Sequence, residues 1–328
     1  MGYCSRRDPG LHHGTHNGLR VLGHRRREPV QPDYSRIVSR YLHPPRHDVI
    51  DAVRRALIED LTPLGDLTAS LLPDGTTATA DFVVRPGGVI AGTACVDETI
   101  RQVDPDIELT WQVAEGDVVD SRQTLATMAG SLESILIAER TALNFLMYLS
   151  GIATNTRAYA DAATGDAQVW DTRKTTPGLR SLEKAAVRAG GARNHRGNLS
   201  DWIMLKDNHL MGLSIADGVA LAKRRWPART VHVEVDRLDQ IEAAVHAEAD
   251  AILLDNMAPE VLREAVLLVD SLVSGGRRPI LEASGGIDMT TIDAVSQTGV
   301  DMISTSKLSF GAPTLDIGLD ITADPVTT

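Results

Sequence analysis

An α/β fold built on an incomplete parallel β/α barrel is what the sequence predicts, with a smaller scaffold of antiparallel strands ahead of it. The first observation is a repeat. After residue 165, six short runs rich in β-branched and aliphatic residues, "QVWDTRK", "WIMLKDN", "TVHVEVD", "AILLDNM", "PILEASGG" and "DMISTSK", each end on polar or charged residues, and a helix-length segment follows. Parallel strands need such crossovers, and their recurrence at about 20 to 30 residues predicts a barrel; six units rather than eight leave it incomplete. The second observation is a change of texture between residues 76 and 130, where "TATADFVVRPGGVIAG" and "IELTWQVAEGDVVDSRQTLATMAG" alternate and turn on glycines, as short antiparallel strands do. The third is size: 328 residues with 43% apolar content can bury the core of one large domain or two smaller ones.

Taken in order, residues 1–46 mix Arg, His, Gly and Pro without apolar periodicity and predict a disordered basic extension. His12, His13 and His16 lie there without an acid or Cys at ligand spacing, so no metal site is read from them. A helical stripe then runs through Val49, Ile50, Val53, Ala56, Leu57 and Leu61, and Pro63 stops it. The second antiparallel stretch resembles the turns of lipoyl- and biotinyl-type modules. Its turn carries no Lys for attachment, so it reads as scaffold. The segment "SLESILIAERTALNFLMYLSGIATNTRAYADAA" is a long helical pattern with a predicted break near Ser150 and Gly151. Arg140 interrupts its apolar neighbourhood and reads equally as a rim Arg or a functional one.

Charge and cysteine usage narrow the function classes. The formal net charge is −11, yet residues 1–47 hold nine Arg and three acids, leaving the remainder with 24 basic and 41 acidic residues. An acidic body excludes a general nucleic-acid surface, which needs an extended basic face. No apolar run is read as a bilayer crossing or a secretory segment, so no membrane partner is expected. Cys4 and Cys95 lack C-x-x-C spacing, which predicts a reducing, cytoplasmic setting. Against this acidic background, residues 171–209 gather eight Lys and Arg.

Function in barrels sits where strands end, and that rule picks out Asp171, Arg173, Lys174, Lys206, Glu234, Asp255 and Ser284. Arg173, Lys174, His195, Arg196 and Lys206 are expected to converge at the barrel mouth, the arrangement that binding a carboxylate or phosphate requires. Arg180, Lys184, Arg188 and Arg193, on the intervening helix and its exit, read instead as solvated surface cations. Glu234 and Asp255 close neighbouring strands and offer side-by-side carboxylates suited to Mg²⁺ or, equally, to helix capping and ion pairing. Ser284, Gly285 and Gly286 form a Gly-rich turn between strand and helix, a backbone nest for an anion.

The segments "ERTALNFLMYLSGIAT", "DTRKTTPGLRSLEKAAVRAGG", "NHRGNLSDWIMLKDNH", "VEVD", "ILLDN" and "EASGG" resemble, in the same order, those of the quinolinate phosphoribosyltransferases. The resemblance runs from about residue 47 to "LDIGLDI" near 321. It implies an N-terminal α/β sandwich over 47–150, joined by the tail 309–328, and a barrel over 151–308, paired head to tail in a cytoplasmic homodimer. It implies further that Arg140 reaches the partner's site and, with Arg173, His195, Arg196 and Lys206, receives the two carboxylates of quinolinate. Lys174, Glu234 and Asp255 would serve phosphoribosyl pyrophosphate and Mg²⁺, and Ser284, Gly285 and Gly286 the 5′-phosphate. Lys206, Glu234 and Asp255 would carry the catalytic charges. The reaction implied is phosphoribosyl transfer with decarboxylation, giving nicotinate mononucleotide in NAD biosynthesis.

The chain departs from the resemblance after the last barrel strand, where the family usually reads Gly-Ala-Leu-Thr-His-Ser and this sequence has Ser306, Lys307, Leu308, Ser309, Phe310 and Gly311. Ser306 and Lys307 are expected as phosphate contacts and Phe310 as packing. Two rival readings stay open on the residues: a paralogue with another anionic acceptor or only a binding role, and a Schiff-base lyase with Lys206 as nucleophile.

Overall fold

The computed structural model describes residues 41–273 and 275–323, so the predicted basic extension lies outside the described residues except for 41–46. Those six residues are held in place. The Arg188 guanidinium donates to the carbonyls of Tyr41 (2.6 Å) and His43 (3.1 Å) and lies over the Tyr41 ring. Order therefore begins before residue 47, because a cation from the barrel satisfies backbone that has no apolar periodicity of its own.

Helix α1 (Arg46–Leu61) buries Val49, Ala52, Val53 and Leu57, close to the predicted stripe. The strands β1 (Thr77–Val84), β2 (Gly88–Val89), β3 (Glu108–Trp111), β4 (Val118–Val119) and β5 (Thr124–Ser131) follow, with α2 (Thr93–Val103) between β2 and β3. Along β1 every second side chain, Ala78, Ala80, Phe82 and Val84, is buried, as a strand with one covered face requires. The strand Ile317–Ala323 returns from the C-terminus and pairs antiparallel with β1 from Ala78↔Ala323 to Val84↔Ile317. On the other side of β1 lies β5, then β3. This sheet and its helices enclose a core that includes Phe82, Leu125, Met128, Ile135 and Leu146. Each such side chain contributes about 1.5–3 kcal/mol by leaving water.

Helix α3 (Leu132–Ala162) lies between that core and a second one. Leu143 and Leu146 face the sandwich, while Phe145, Leu149 and Ile152 face the barrel. The predicted break at Ser150 and Gly151 does not occur, and the helix runs through both. Small residues are needed there for approach, not for a turn: the Ser150 hydroxyl accepts from the Ala91 amide (3.0 Å). A Cβ on Gly151 would overlap the Pro313 carbonyl oxygen and come within 2.8 Å of the Thr314 Cα. Gly151→Ala is accordingly expected to destabilise by about 1–3 kcal/mol through overpacking, read from the urea midpoint. An unchanged midpoint would mean that the segment around Pro313 yields freely. Among the described residues α3 is also long and apolar enough, by length and composition, to cross a bilayer, which the sequence reading did not anticipate. Burial on two faces accounts for that composition.

The barrel follows as β6 (Gln168–Trp170), α4 (Arg180–Ala189), β7 (Ile203–Leu205), α5 (Ile215–Arg225), β8 (Val231–Val235), α6 (Ile241–His246), β9 (Ala251–Asp255), α7 (Pro259–Leu272), β10 (Ile280–Ser284), α8 (Ile292–Ser296) and β11 (Met302–Ser304). All six strands fall on the six predicted runs and pair in parallel, in the order β6-β11-β10-β9-β8-β7. With β6 and β7 as edges the barrel is not closed. Beyond β6 the chain at Arg193 adds one bridge to Trp170, with the Arg193 amide donating to the Val169 carbonyl at 2.9 Å.

Register decides which side chains face inward. Glu234 lies opposite Leu253, Leu253 opposite Glu282, Asp255 opposite Ser284, and Ser284 opposite Ser304. Because strand side chains alternate, these share one face with His232 and Met204. Val231, Val233, Val235, Ile252, Leu254, Leu281, Ala283 and Ile303 point the other way, into the core beneath the helices.

Candidate active site

The inward residues at the C-terminal strand ends open into a cavity of about 580 Å³. Its wall includes Arg173, Lys174, His195, Arg196 and Lys206 on one part, and Glu234, Asp255, Ser284, Gly285 and Gly286 on another. Ten of the residues picked from sequence are thus brought together. Arg140 and Ser306 are not part of this wall. Arg140 projects from α3 with its side chain 61% exposed, 3.9 Å from Glu139. Ser306 starts a short 3-10 turn whose N-terminus is capped by Thr305, with Lys307 exposed. Phe310, expected as packing, is 59% exposed among the described residues.

Two loops carry the cations, and a buried network fixes both. Asp171 ends β6 with 1% exposure; one oxygen takes the Lys184 ammonium (2.5 Å) and the His195 amide (2.7 Å), the other the Asn194 side-chain amide (2.8 Å). Lys184 also donates to the His195 carbonyl (3.0 Å). The pair therefore locks the backbone that presents His195 and Arg196. Burial pushes the Asp171 carboxyl up and the Lys184 ammonium down, and their mutual attraction opposes both shifts. The second anchor is Glu183, also buried, which accepts from the Thr176 amide (2.8 Å) and the Tyr148 hydroxyl (2.7 Å). Burial, with Glu183 nearby, pushes that phenol up to about 12.

These contacts correct the view of Arg180, Lys184 and Arg188 as solvated cations. Lys184 is buried, Arg188 clamps Tyr41, His43 and Asn194, and Arg180 donates to the Thr175 hydroxyl and the Gly197 carbonyl. The amphipathic period of α4 shows which face is buried, but not that a Lys on that face meets Asp171 from the preceding strand end. Arg193 is exposed, as expected.

At the cavity floor Glu282 is fully buried and accepts from His195 Nε2 (3.1 Å) and the Ser304 hydroxyl (2.5 Å), with His232 Nδ1 at 3.7 Å. Burial alone would raise its carboxyl, but the bonds from His195 and Ser304, with the His232 imidazole close by, outweigh that and hold it at about 2. A carboxyl held low stabilises the fold fully above its ordinary value of 4.5, and that contribution is lost as pH falls towards about 2. Glu282→Gln should therefore flatten the acid limb of the stability curve over that window, read as urea midpoint against pH. Equal slopes in the two proteins would refute the assignment.

Arg196 is buried beside Met204; burial and then the neighbouring Arg173 charge lower its guanidinium. Arg173 Nε is buried with no hydrogen-bond partner, the state an anionic ligand would relieve. The Lys206 ammonium pairs with the Glu234 carboxylate, and Asp255 accepts from the Asn256 side-chain amide (2.8 Å). Gly285 and Gly286 have φ of +88° and +65°, and a Cβ on Gly285 would strike the Asn256 side chain. Only glycine suits that turn, whose backbone can then approach an anion closely.

Glu282, Ser304, Met204, Leu253, Asn256 and Thr172 line the cavity without having been picked from sequence. Alternation could have found four of them, since Glu282 lies two before Ser284, Ser304 closes "MIS", Leu253 lies two before Asp255, and Met204 lies two before Lys206.

Known proteins share the sequence and fold of both halves of the chain. Residues 66–150 match the model of the quinolinate phosphoribosyl transferase N-terminal domain, and residues 152–320 that of its C-terminal domain. The chain belongs to the quinolinate phosphoribosyltransferase family. A nicotinate-nucleotide pyrophosphorylase (carboxylating) from Mycobacterium leprae is 39% identical over 281 residues, 83% of this chain and 96% of that one. A probable enzyme of the same name from Synechocystis is 40% identical over 247 residues, 74% of this chain and 82% of that one. The solved structure of nicotinate-nucleotide pyrophosphorylase from Francisella tularensis superposes with a TM-score of 0.81 at 35% identity, covering 87% of this chain and 99% of that chain. Both family domains are thus present in one chain, with the cationic cavity in the second.

Proposed function

We propose that the protein transfers the phosphoribosyl group of phosphoribosyl pyrophosphate to quinolinate with loss of CO₂, giving nicotinate mononucleotide and pyrophosphate for NAD biosynthesis. The observation that carries this reading is a single cavity in which Arg173, Lys174, His195, Arg196 and Lys206 meet a carboxylate pair and a Gly-rich turn. A dicarboxylic ring and a sugar polyphosphate are the ligands for which such a wall is built.

Each group then has a task. Arg173, His195, Arg196 and Lys206 receive the ring carboxylates, with forked guanidinium donors suited to planar oxygen pairs. Ser284, Gly285 and Gly286 hold the 5′-phosphate, and Lys174 takes the pyrophosphate side. Alignment of the ring nitrogen with the sugar carbon supplies much of the rate, because ribosyl transfer asks little covalent chemistry of the protein. Once alkylated, that nitrogen is positive and accepts the electron pair left as the adjacent carboxylate departs as CO₂.

Glu234 and Asp255 would hold Mg²⁺, and they fit it: both present carboxylate oxygens from the same face of adjacent strands into the cavity. When bound, such an ion draws charge from a leaving pyrophosphate. The reading places the protein in the cytoplasm, the reducing setting suited to two cysteines without C-x-x-C spacing.

The working unit in this reading is a homodimer in which Arg140, exposed and outside its own chain's cavity, completes the partner's. Mixing Arg140→Ala with Lys206→Ala protein, each impaired alone, should raise activity above either, since one heterodimer site then carries neither lesion. No rescue, with subunit exchange demonstrated, would take Arg140 out of the shared site. The reading as a whole is tested by incubating the protein with quinolinate, phosphoribosyl pyrophosphate and Mg²⁺ and following nucleotide and CO₂ together. Nucleotide formed from nicotinate, and none from quinolinate, would overturn it.

A further inference from the structure

One cluster in the cavity floor is not used by the carboxylate pair. His195, His232 and Glu282 are all buried, and one ligand atom from each lies within 4.8 Å of the others. A single carboxylate oxygen, Glu282 Oε2, faces both imidazoles, at 3.1 Å from His195 Nε2 and 3.7 Å from His232 Nδ1. Neighbouring ligands of a tetrahedral ion with bonds of about 2.0–2.1 Å stand roughly 3.3 Å apart, and the two observed distances bracket that value.

A second, independent observation points the same way. His232 is 4% exposed, and its Nδ1, aimed at the cluster, makes no hydrogen bond. A buried polar nitrogen without a partner is costly unless something binds it.

We propose that His195, His232 and Glu282 bind one divalent transition-metal ion, Zn²⁺ by preference, at a site distinct from the oxygen-donor pair Glu234 and Asp255. Two imidazoles and one carboxylate are a donor set for Zn²⁺, whereas Mg²⁺ favours oxygen ligands alone. The surroundings support the ligands. Ser304 bonds the other Glu282 oxygen (2.5 Å), as the outer partners of metal-ligating carboxylates do. Trp202 stacks on His232 with ring centroids 5.0 Å apart and meets His195 edge-on at 4.8 Å, so one side of the site is closed by indole. His195 and Glu282 also line the cavity, which leaves the fourth position open towards it. On binding, the ion takes the place of the hydrogen bond between His195 and Glu282.

A consequence rests on the proposed function: an ion on His195 removes that imidazole from the acceptor carboxylates, so Zn²⁺ and quinolinate compete. Competition concerns the role of His195. Its absence while the ion still binds would end the acceptor reading and leave the metal site standing.

The site itself is tested on the full, metal-free chain by titrating Zn²⁺ in a calorimeter and Co²⁺ by visible absorption. One ion per chain is expected in the floor, with the d–d bands of four-coordinate Co²⁺. Affinity should fall about tenfold or more in both His232→Gln and Glu282→Gln. If Glu282→Gln does not fold, His232→Gln decides alone. Unchanged affinity in the folded variants overturns the proposal. So does binding that survives His232→Gln but vanishes when His12, His13 and His16 are replaced by Asn, which would assign the ion to the N-terminal histidines.

Discussion

Asp171→Ala is expected to destabilise the protein by about 3–5 kcal/mol, the range for removing one member of a buried ion pair. The cause is what remains: Lys184, 6% exposed, would keep its charge or lose its proton with no carboxylate beside it. The His195 amide and the Asn194 side chain would lose an acceptor at the same time. Attraction between the two charges is not by itself the source of this figure, since both were desolvated to form the pair. Replacing both partners, as in Asp171→Ala with Lys184→Met, should therefore recover most of the loss. Urea unfolding of the two single variants and the double variant forms the cycle that measures it. A single-variant loss below about 1 kcal/mol would mean that water reaches Lys184. The double variant also separates folding from function: a stable protein with poor activity would show that the pair is needed to present His195 and Arg196.

Asp171 shows how the sequence can place a residue well and leave its task unread. The strand-end rule found it, because "QVW" closes on a polar residue. Its partner lies on the next helix, and nothing local marks Lys184 as the member of that helix that turns inward. The strands themselves were legible for a plain reason: each has an apolar, outward-facing half that must cover a helix, so the runs stand out. The inward half was harder. Glu282 and His232 sit one residue from aliphatic neighbours and look like interruptions of a core strand until register is applied from Glu234 and Ser284. The small residues of α3 misled for the converse reason. Ser and Gly punctuate helices locally, but Gly151 is where the chain around Pro313 needs the space of a Cβ, and long-range packing leaves no local mark. The residue type of Phe310 suggests packing, yet the described chain leaves more than half of it exposed.

Lys206→Ala should lower kcat/KM by roughly 30-fold to several thousand-fold, about 2–5 kcal/mol, the cost of truncating one partner of a hydrogen-bonded charge pair once bound substrate seals it from water. Two losses combine. The ammonium closes β7 at the cavity wall, where it would meet substrate anion, and it also neutralises Glu234 on the neighbouring strand. Without it, Glu234 and Asp255 stand on the same face with one cation fewer, and a polyanionic substrate is repelled as well as less well held. The Lys206 side chain is 38% exposed, so solvent offsets part of this, and the lower end of the range applies if no ligand seals the cavity. The split between constants tells the roles apart: a rise in KM for quinolinate alone marks a contact made equally in the bound complex and the transition state, whereas a fall in kcat marks one made only as charge moves. Lys206→Arg, which keeps the charge but changes its shape, should recover the Glu234 pairing and only part of the rate. The other converging cations and the carboxylate pair, which a Schiff-base enzyme does not need, argue against Lys206 as a nucleophile of that kind. An unchanged kcat/KM in Lys206→Ala would remove the residue from the reaction and, with it, the idea that the carboxylate pair needs a cation to admit its substrate.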